Sequence, residues 1–158
     1  MQKTLRARFV VPVWGQQYVD VMTKVTLPSL LASGNLPALA QEMEIEFIFL
    51  TQEKSFPIIK NNPGVQALEA YCCIRFICID DLIGPVYGVV LTKAYFRSVI
   101  DEKETARDYY YFFLNVDSII ADGSYTNVLA EIKSGRNLIF APGLRVNGPN
   151  LIEGLKTE

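Results

Sequence analysis

Three polar clusters in this sequence carry the residue types best suited to binding chemistry, and each directly follows a hydrophobic stretch. The clusters are Trp14-Gly15-Gln16-Gln17, Asp80-Asp81 and Asn115-Val116-Asp117. The chain contains no histidine, which excludes Ser-His-Asp and Cys-His catalysis and any zinc site built on imidazole. Any chemistry must therefore use carboxylates, hydroxyls, amides, cations or a bound metal.

The elements that would position these clusters follow from the hydrophobic pattern. Segments rich in β-branched and aromatic residues predict strands, and apolar residues at helical spacing predict helices between them. The predicted strands are 8–14, 44–50, 72–79, 109–114 and 137–141. The predicted helices are 18–31, 37–43, 57–71 with an interruption near 61–64, 88–100 and 125–133.

The alternation of strands and helices predicts right-handed βαβ units. We therefore expect an α/β fold with a mainly parallel, Rossmann-like sheet and helices on both faces, three layers in all. The run 47–50 indicates a strand buried on both faces, 109–114 is typical of a central strand, and Pro28 should break or kink the first helix. Because ligands of such sheets bind at the carboxyl ends of the strands, the three clusters should share one rim.

Length and composition predict one domain over residues 1–158. The chain has 158 residues, of which 50% are hydrophobic and 20% charged, and that balance supports a substantial core. Three cysteines, Cys72, Cys73 and Cys78, lie close together on one predicted strand. Because strand neighbours point to opposite faces, a disulfide between Cys72 and Cys73 is poorly placed, and we expect buried free thiols.

Charge and hydropathy limit the partners that this chain can have. Its net charge is -2, with 15 basic residues scattered among 17 acidic ones, so the basic face of a nucleic-acid-binding protein is not expected. No stretch reaches the roughly 18 apolar residues of a membrane-spanning helix, and the N-terminal apolar run is too short for a signal peptide. These features predict a cytoplasmic protein without a membrane span. The mean hydropathy of +0.19 is high for a small soluble chain, which indicates either a covered sheet or an interface with a partner.

One segment carries a family resemblance. The sequence Tyr111-Phe-Phe-Leu-Asn-Val-Asp-Ser-Ile-Ile120 resembles the hydrophobic strand that runs into the Asp-x-Asp motif of GT-A glycosyltransferases. The Asp122-Gly-Ser124 segment, the helix and strand after it, and the Val11-Pro-Val13 strand also fit that layout. The resemblance implies the N-terminal, donor-binding half of a nucleotide-diphospho-sugar transferase, as a truncated or partial enzyme.

By this resemblance, Asp117 would contact Mg²⁺ or Mn²⁺. A hard divalent cation with oxygen ligands neutralises the diphosphate whose charge builds as the glycosidic bond breaks. Asn115 stands where the family usually has its first carboxylate, and it brings no charge. The alternative for Asp117 is that it only caps the turn after a strand.

The resemblance also implies contacts to the base, the ribose and the diphosphate. The predicted substrate-binding residues are Pro12, Trp14, Gln16, Asp80, Asp81 and Asn115. Alternatives stay open here, since Trp14 could be a core aromatic and two adjacent acids are an ordinary solvated strand terminus. Lys93 and Arg97, at i, i+4 spacing, would either reach the diphosphate or form a solvated basic face.

Two classes of function follow. The first is a glycosyltransferase-like protein that binds a nucleotide sugar through a divalent metal and transfers the sugar to an acceptor. The second is a non-catalytic binding or assembly module on the same scaffold, with its apolar surface covered by a partner chain or a second copy. Asn115 in place of an acid favours the second class, and no residue can be named a catalytic base. A dinucleotide enzyme is disfavoured because no Gly-x-Gly-x-x-Gly follows the first strand.

Overall fold

The computed structural model describes residues 4–101, 103–141 and 143. Its core is a four-stranded parallel sheet in the order β3-β2-β1-β4. The strands are β1 (Leu5–Pro12), β2 (Met43–Thr51), β3 (Cys73–Cys78) and β4 (Tyr110–Phe113). The predicted α/β fold with a mainly parallel sheet is confirmed, and four of the five predicted strands form within a few residues of their expected bounds.

Seven α-helices occur among the described residues and connect the strands. They are α1 (Gln16–Val21), α2 (Leu27–Leu30), α3 (Leu36–Ala40), α4 (Phe56–Lys60), α5 (Pro63–Leu68), α6 (Tyr87–Ile100) and α7 (Ser124–Lys133). A π-helical turn, Met22–Thr26, joins α1 to α2. Among the residues that the structure describes, none of the helices has both the length and the apolar character needed to cross a bilayer.

The π-helical turn explains how the chain tolerates Pro28. Proline lacks the N–H that a regular helix would donate to Lys24, four residues earlier, and its ring clashes with that carbonyl. The helix widens just before the proline, the N–H of Leu27 donates to the carbonyl of Met22, and Pro28 falls in the first turn of α2. The predicted break at Pro28 is therefore a local change of helix type.

Helices cover both faces of the sheet, which confirms the three layers. Helices α1–α5 and α7 pack on the face of the sheet that carries the larger hydrophobic cluster. There β1 and β2 contribute Phe9, Phe47 and Phe49, all fully buried. Helix α6 packs on the other face through Ala94, against Val10. The run 47–50 is fully buried on both faces, as the sequence predicts.

Two predictions about strands are wrong. The segment 109–114 is not central, because β4 lies at one edge of the sheet that the described residues form. Its alternating aromatic residues pack on both faces from that edge, with Phe112 on one side and Tyr111 on the other. No strand forms at 137–141, where Leu138 and Phe140 are each 86% exposed. Strand propensity alone does not make a segment form a strand, because a strand also needs a neighbouring strand to pair with.

The cysteines are free, as expected, but they are less buried than predicted. Cys72 is half-buried, and burial raises the pKa of its thiol to about 12. Cys73 and Cys78 are exposed, since β3 forms the other edge of the described sheet and its ends are poorly covered.

Candidate functional site

The carboxyl ends of all four strands lie on one rim of the sheet, because the strands are parallel. The three polar clusters follow β1, β3 and β4, so they share this rim as predicted. The strand order nevertheless divides them, because β1 and β4 are neighbours whereas β3 lies at the far edge. Three strand spacings, roughly 14 Å in total, separate the ends of β3 and β4.

The first region, which we call the aromatic rim, lies at the ends of β1 and β4 and consists of Trp14, Tyr18, Tyr87, Asn115 and Asp117. The rings of Trp14 and Tyr87 stack with centroids 4.8 Å apart, and the ring of Tyr18 lies 5.9 Å from that of Tyr87. Trp14 is half-buried and also packs against the core beneath α6. Tyr18 and Tyr87 are exposed, so the stack presents ring surface to solvent.

The chain reaches this stack through a sharp turn after β1. Gly15 adopts φ of 81°, a left-handed conformation that residues with a side chain rarely adopt, and it thereby directs the chain from β1 into α1. Among the other residues predicted here, Pro12 is buried as the last residue of β1. The Gln16 amide is exposed and donates to the Asp20 carboxylate at 2.7 Å.

The loop after β4 presents Asn115 and Asp117 outward because its alternate residues are anchored inward. Leu114 and Val116 are buried, whereas Asn115 and Asp117 are exposed. The N–H of Leu114 donates to the carbonyl of Val10 at 3.0 Å and so continues the pairing of β4 with β1. The hydroxyl of Tyr95 donates to the carbonyl of Leu114 at 2.7 Å.

On the other side of the sheet, the Thr26 hydroxyl donates to the carbonyl of Val116 at 2.6 Å. The Asp117 carboxylate itself has no hydrogen bond or ion pair with any part of the chain that the structure describes. It therefore does not cap the turn in the way that the alternative interpretation required.

The charge of Asp117 reaches the tyrosines beside it. Burial raises the pKa of Tyr95, with smaller contributions from Tyr87 and Asp117. Burial is also the main cause of the raised pKa of Tyr87, and Tyr18 and Asp117 raise it further. Both phenols are therefore neutral near pH 7 and can donate hydrogen bonds at the rim.

A buried asparagine supports the chain that continues from this loop. The Asn35 side chain is fully buried, and its amide nitrogen donates to the carbonyls of Ser29 at 2.9 Å and Ala121 at 3.1 Å. Its amide oxygen accepts the N–H of Tyr125 at 3.1 Å. Next to it, the N–H of Gly34 donates to the Asp122 carboxylate at 2.7 Å. These bonds fix the 120–125 segment against α2 and α3.

The second region, which we call the acidic corner, consists of Asp80 and Asp81 at the end of β3. Asp80 accepts the N–H of Glu53 at 3.0 Å and the side-chain amide of Gln52 at 3.2 Å. The Glu53 N–H, with a smaller contribution from Cys78, lowers the pKa of Asp80.

Asp81 forms a two-pronged ion pair with Arg97 of α6, with one nitrogen-to-oxygen distance of 2.7 Å. That hydrogen bond lowers the pKa of Asp81. Arg97 also donates to the carbonyl of Cys78 at 3.1 Å. The second basic residue predicted on α6, Lys93, is exposed.

The donor atoms near Asp117 limit how a metal ion could bind. Across residues 4–101, 103–141 and 143, no three Asp, Glu or Cys side chains lie close enough to form a metal site. Within the aromatic rim, Asp117 supplies the carboxylate and Asn115 an amide oxygen that lies 3.3 Å from the Tyr95 hydroxyl. This set does not suit a permanently held ion. It does fit Mg²⁺ in the manner of phosphate sites, where one or two carboxylates share the ion with phosphate oxygens.

Several residues of this region have no clear signal in the sequence. Tyr18, Tyr87 and Tyr95 lie in predicted helices or just before one. The positions of Tyr87 and Tyr95 at the rim depend on which face α6 covers, and that of Tyr18 depends on where α1 begins. Thr26 and Asn35 are ordinary polar residues beside a helix break. Only the break itself, at Pro28 and at Ser33-Gly34-Asn35, marks this part of the chain as irregular.

Comparisons with known proteins support the fold. No protein-family model matches the chain, and no curated protein matches it. A solved structure that does match is mouse xyloside xylosyltransferase 1 in its apo form, with a TM-score of 0.51 and 15% sequence identity. The match covers 88% of this chain and 51% of the other, so the chain spans about half the length of that transferase. At this identity the likeness shows a shared fold alone.

Proposed function

We propose that this chain binds a nucleotide-diphosphate sugar at the aromatic rim and is the donor-binding part of a glycosyltransferase-like protein. The observation that carries the proposal is an exposed aromatic stack beside a carboxylate that no described residue binds. The two lie at the ends of adjacent strands, β1 and β4. In open α/β sheets, ligands bind outside the carboxyl ends of the strands. The fold that the chain shares with mouse xyloside xylosyltransferase 1 supports the choice of a sugar-transfer function.

The aromatic part of the rim would hold the nucleobase. Tyr87 stacks on Trp14 and keeps part of its own surface exposed, so a base can extend the stack. Stacking of a base on an aromatic side chain contributes about 1–3 kcal/mol. Trp14 is anchored in the core beneath α6, which keeps the stack rigid before the ligand arrives.

The diphosphate would lie between Asp117 and the first turn of α6. This helix begins at Tyr87, which stacks on Trp14, so the positive end of the helix dipole lies at the rim. Val86 before it provides no side-chain cap. Asp117, with Asn115 beside it in the loop, would hold a divalent cation shared with the phosphate oxygens. When bound, such a cation neutralises the charge of the diphosphate leaving group.

Asp80 and Asp81 enter this proposal only as predicted contacts to the base or ribose. Both already have partners, Glu53 and Arg97 respectively, and they lie at the far edge of the sheet. The proposal therefore depends on the aromatic rim and not on the acidic corner.

Calorimetric titration with UDP, GDP and CDP, each with and without Mn²⁺, tests the proposal. We expect a preference for one base that strengthens when Mn²⁺ is present. Asp117→Asn should weaken the Mn²⁺-linked binding by roughly 10- to 100-fold, since contacts to a charged group contribute about 1.5–3 kcal/mol. Asp101→Asn is the matched control, because Asp101 is exposed at the opposite end of α6.

A second function has an observation of its own, the apolar face formed by α6 and β4. Phe96 is 65% exposed and Phe113 is 51% exposed, with Val89 and Ile100 also at the surface. Exposed apolar patches of this kind are typical of interaction sites, which favours a non-catalytic binding or assembly module. Absence of heat with every nucleotide, together with a stable oligomer by light scattering, would decide for this function and against donor binding.

A further inference from the structure

We infer that Thr26 and Tyr95 form a two-sided clamp on the 114–117 loop and are the positioning residues of the aromatic rim. The two hydroxyls donate to carbonyls two residues apart, Tyr95 to Leu114 at 2.7 Å and Thr26 to Val116 at 2.6 Å. What the positioned loop then binds rests on the proposed function. The clamp itself is a property of the ligand-free protein.

The two hydroxyls reach the loop from opposite faces of the sheet. Tyr95 belongs to α6, and its ring packs with the smaller core cluster and meets the Phe113 ring edge-on at 5.2 Å. Thr26 ends the π-helical turn on the face that carries the larger cluster, and it is 1% exposed. The loop is therefore fixed from both sides at the point where β4 ends.

This double attachment determines which loop residues reach solvent. With the carbonyls of Leu114 and Val116 held, the side chains of those residues stay buried, and Asn115 and Asp117 are left at the surface. Tyr95 adds a contact to a predicted site residue, because its hydroxyl lies 3.3 Å from the amide oxygen of Asn115. Loss of either hydroxyl leaves a carbonyl without its partner, and a loop with an unsatisfied carbonyl opens more often.

Hydrogen exchange of the Leu114 amide, which donates to the carbonyl of Val10, tests the clamp in the ligand-free protein. Tyr95→Phe and Thr26→Val each remove one hydroxyl and keep the rest of the side chain close to its original shape. We expect exchange of this amide to become roughly tenfold faster in each variant, as the loss of one hydrogen bond predicts. Thr26→Ser keeps the hydroxyl and should restore slow exchange.

Tyr125→Phe is the matched control for Tyr95→Phe. The Tyr125 hydroxyl is buried and has no hydrogen-bond partner in the described part of the chain, so its removal costs no bond. Exchange of the Leu114 amide should match the unmodified protein in this control. If Tyr95→Phe and Tyr125→Phe give the same exchange of that amide, the clamp is disproved. That comparison still decides the matter if Thr26→Val does not fold.

The nucleotide titration, repeated on these variants, separates the two proposals. Where the unmodified protein binds a nucleotide with Mn²⁺, Tyr95→Phe should weaken that binding roughly tenfold, while Tyr125→Phe leaves it unchanged. If the unmodified protein binds no nucleotide but the exchange results hold, the clamp stands and the proposed function fails. If nucleotide binds but Tyr95→Phe behaves as Tyr125→Phe does in both measurements, the proposed function stands and the clamp fails.

Discussion

The aromatic rim and the acidic corner lie on the same edge of one sheet, yet their carboxylates differ in what surrounds them. Asp80 and Asp81 each bond to groups of neighbouring elements. Asp117 has no such partner among the residues that the structure describes. A position just after a parallel strand therefore predicts that a carboxylate reaches the rim, but the neighbouring elements determine whether it is available to a ligand.

The two regions are also held in place differently. Buried bonds support the aromatic rim from inside, through Thr26 at the loop and Asn35 behind it. The acidic corner is held by bonds at the surface, where Asp80 and Asp81 are exposed and their partner Arg97 is half-buried. Buried polar groups cost far more when they lose a partner than exposed ones do. Substitutions behind the aromatic rim should consequently have large effects on stability, and substitutions at the acidic corner small ones.

Asn35→Ala should give the largest effect. It leaves the carbonyls of Ser29 and Ala121 and the N–H of Tyr125 without their side-chain partner in the core. Such losses cost about 1–3 kcal/mol each, and since water can enter to satisfy some of them, we expect a total loss near 3 kcal/mol in the free energy of unfolding. Urea denaturation measures it. Asn127→Ala, at an exposed position of α7, is the control and should change stability little. An equal effect of the two substitutions would show that Asn35 does not support the rim.

Gly34→Ala should have the next largest effect. A Cβ added at this position would lie 2.6 Å from the N of Gly123 and 2.8 Å from an oxygen of Asp122. The first of these is backbone and cannot rotate away, so the chain must shift, at a cost of about 1–3 kcal/mol. Gly88→Ala provides the control, since a Cβ there meets nothing within 4 Å and α6 should tolerate it. Thermal unfolding of the two variants measures the difference, and a Gly34→Ala variant as stable as Gly88→Ala would contradict the close approach.

Much of the fold could be predicted from the sequence because its signals are local and repeated. The buried run 47–50 and the alternation of strands with helices each depend on neighbouring residues along the chain, and both predictions are confirmed. The two errors concern pairing over long distance. Residues 109–114 have the composition of a central strand but lie at an edge of the described sheet. Residues 137–141 have strand propensity, but no described strand lies beside them.

The candidate site was predictable only as a set of positions on a rim. Strand ends locate Trp14 and Asp117 near one another once β1 and β4 are known to be neighbours. The sequence contains no comparable signal for Tyr87 or Tyr95, because their role depends on where α6 crosses the sheet. The residue type also does not distinguish Asp81 from Asp117, because both are aspartates after a strand. They differ in that Asp81 is paired with Arg97, which lies sixteen residues further along the chain.

The smallest expected effect on stability is at the acidic corner, and it should appear as a change in melting temperature that depends on pH. Both Asp80 and Asp81 have a folded-state pKa below the ordinary value, which is about 3.9 in an unfolded chain. Groups with a lowered pKa stabilise the folded state above that unfolded value, and the stabilisation is lost as the pH falls through the folded pKa. Asp81→Asn should therefore lower the melting temperature slightly at pH 6, and the difference from the unmodified protein should shrink as the pH falls below about 4.

Arg97→Met provides the control for this pH dependence, because it removes the partner of Asp81 but leaves Asp80 bonded to Glu53. It should remove the same pH-dependent part of the melting temperature as Asp81→Asn does. Asp80→Asn, introduced into the Arg97→Met protein, should then remove a further part. A difference between Asp81→Asn and the unmodified protein that stays constant from pH 6 to pH 3 would mean that the Arg97 pair does not stabilise the fold. Asp81 would then be as available to a ligand as Asp117, and the distinction between corner and rim would no longer hold.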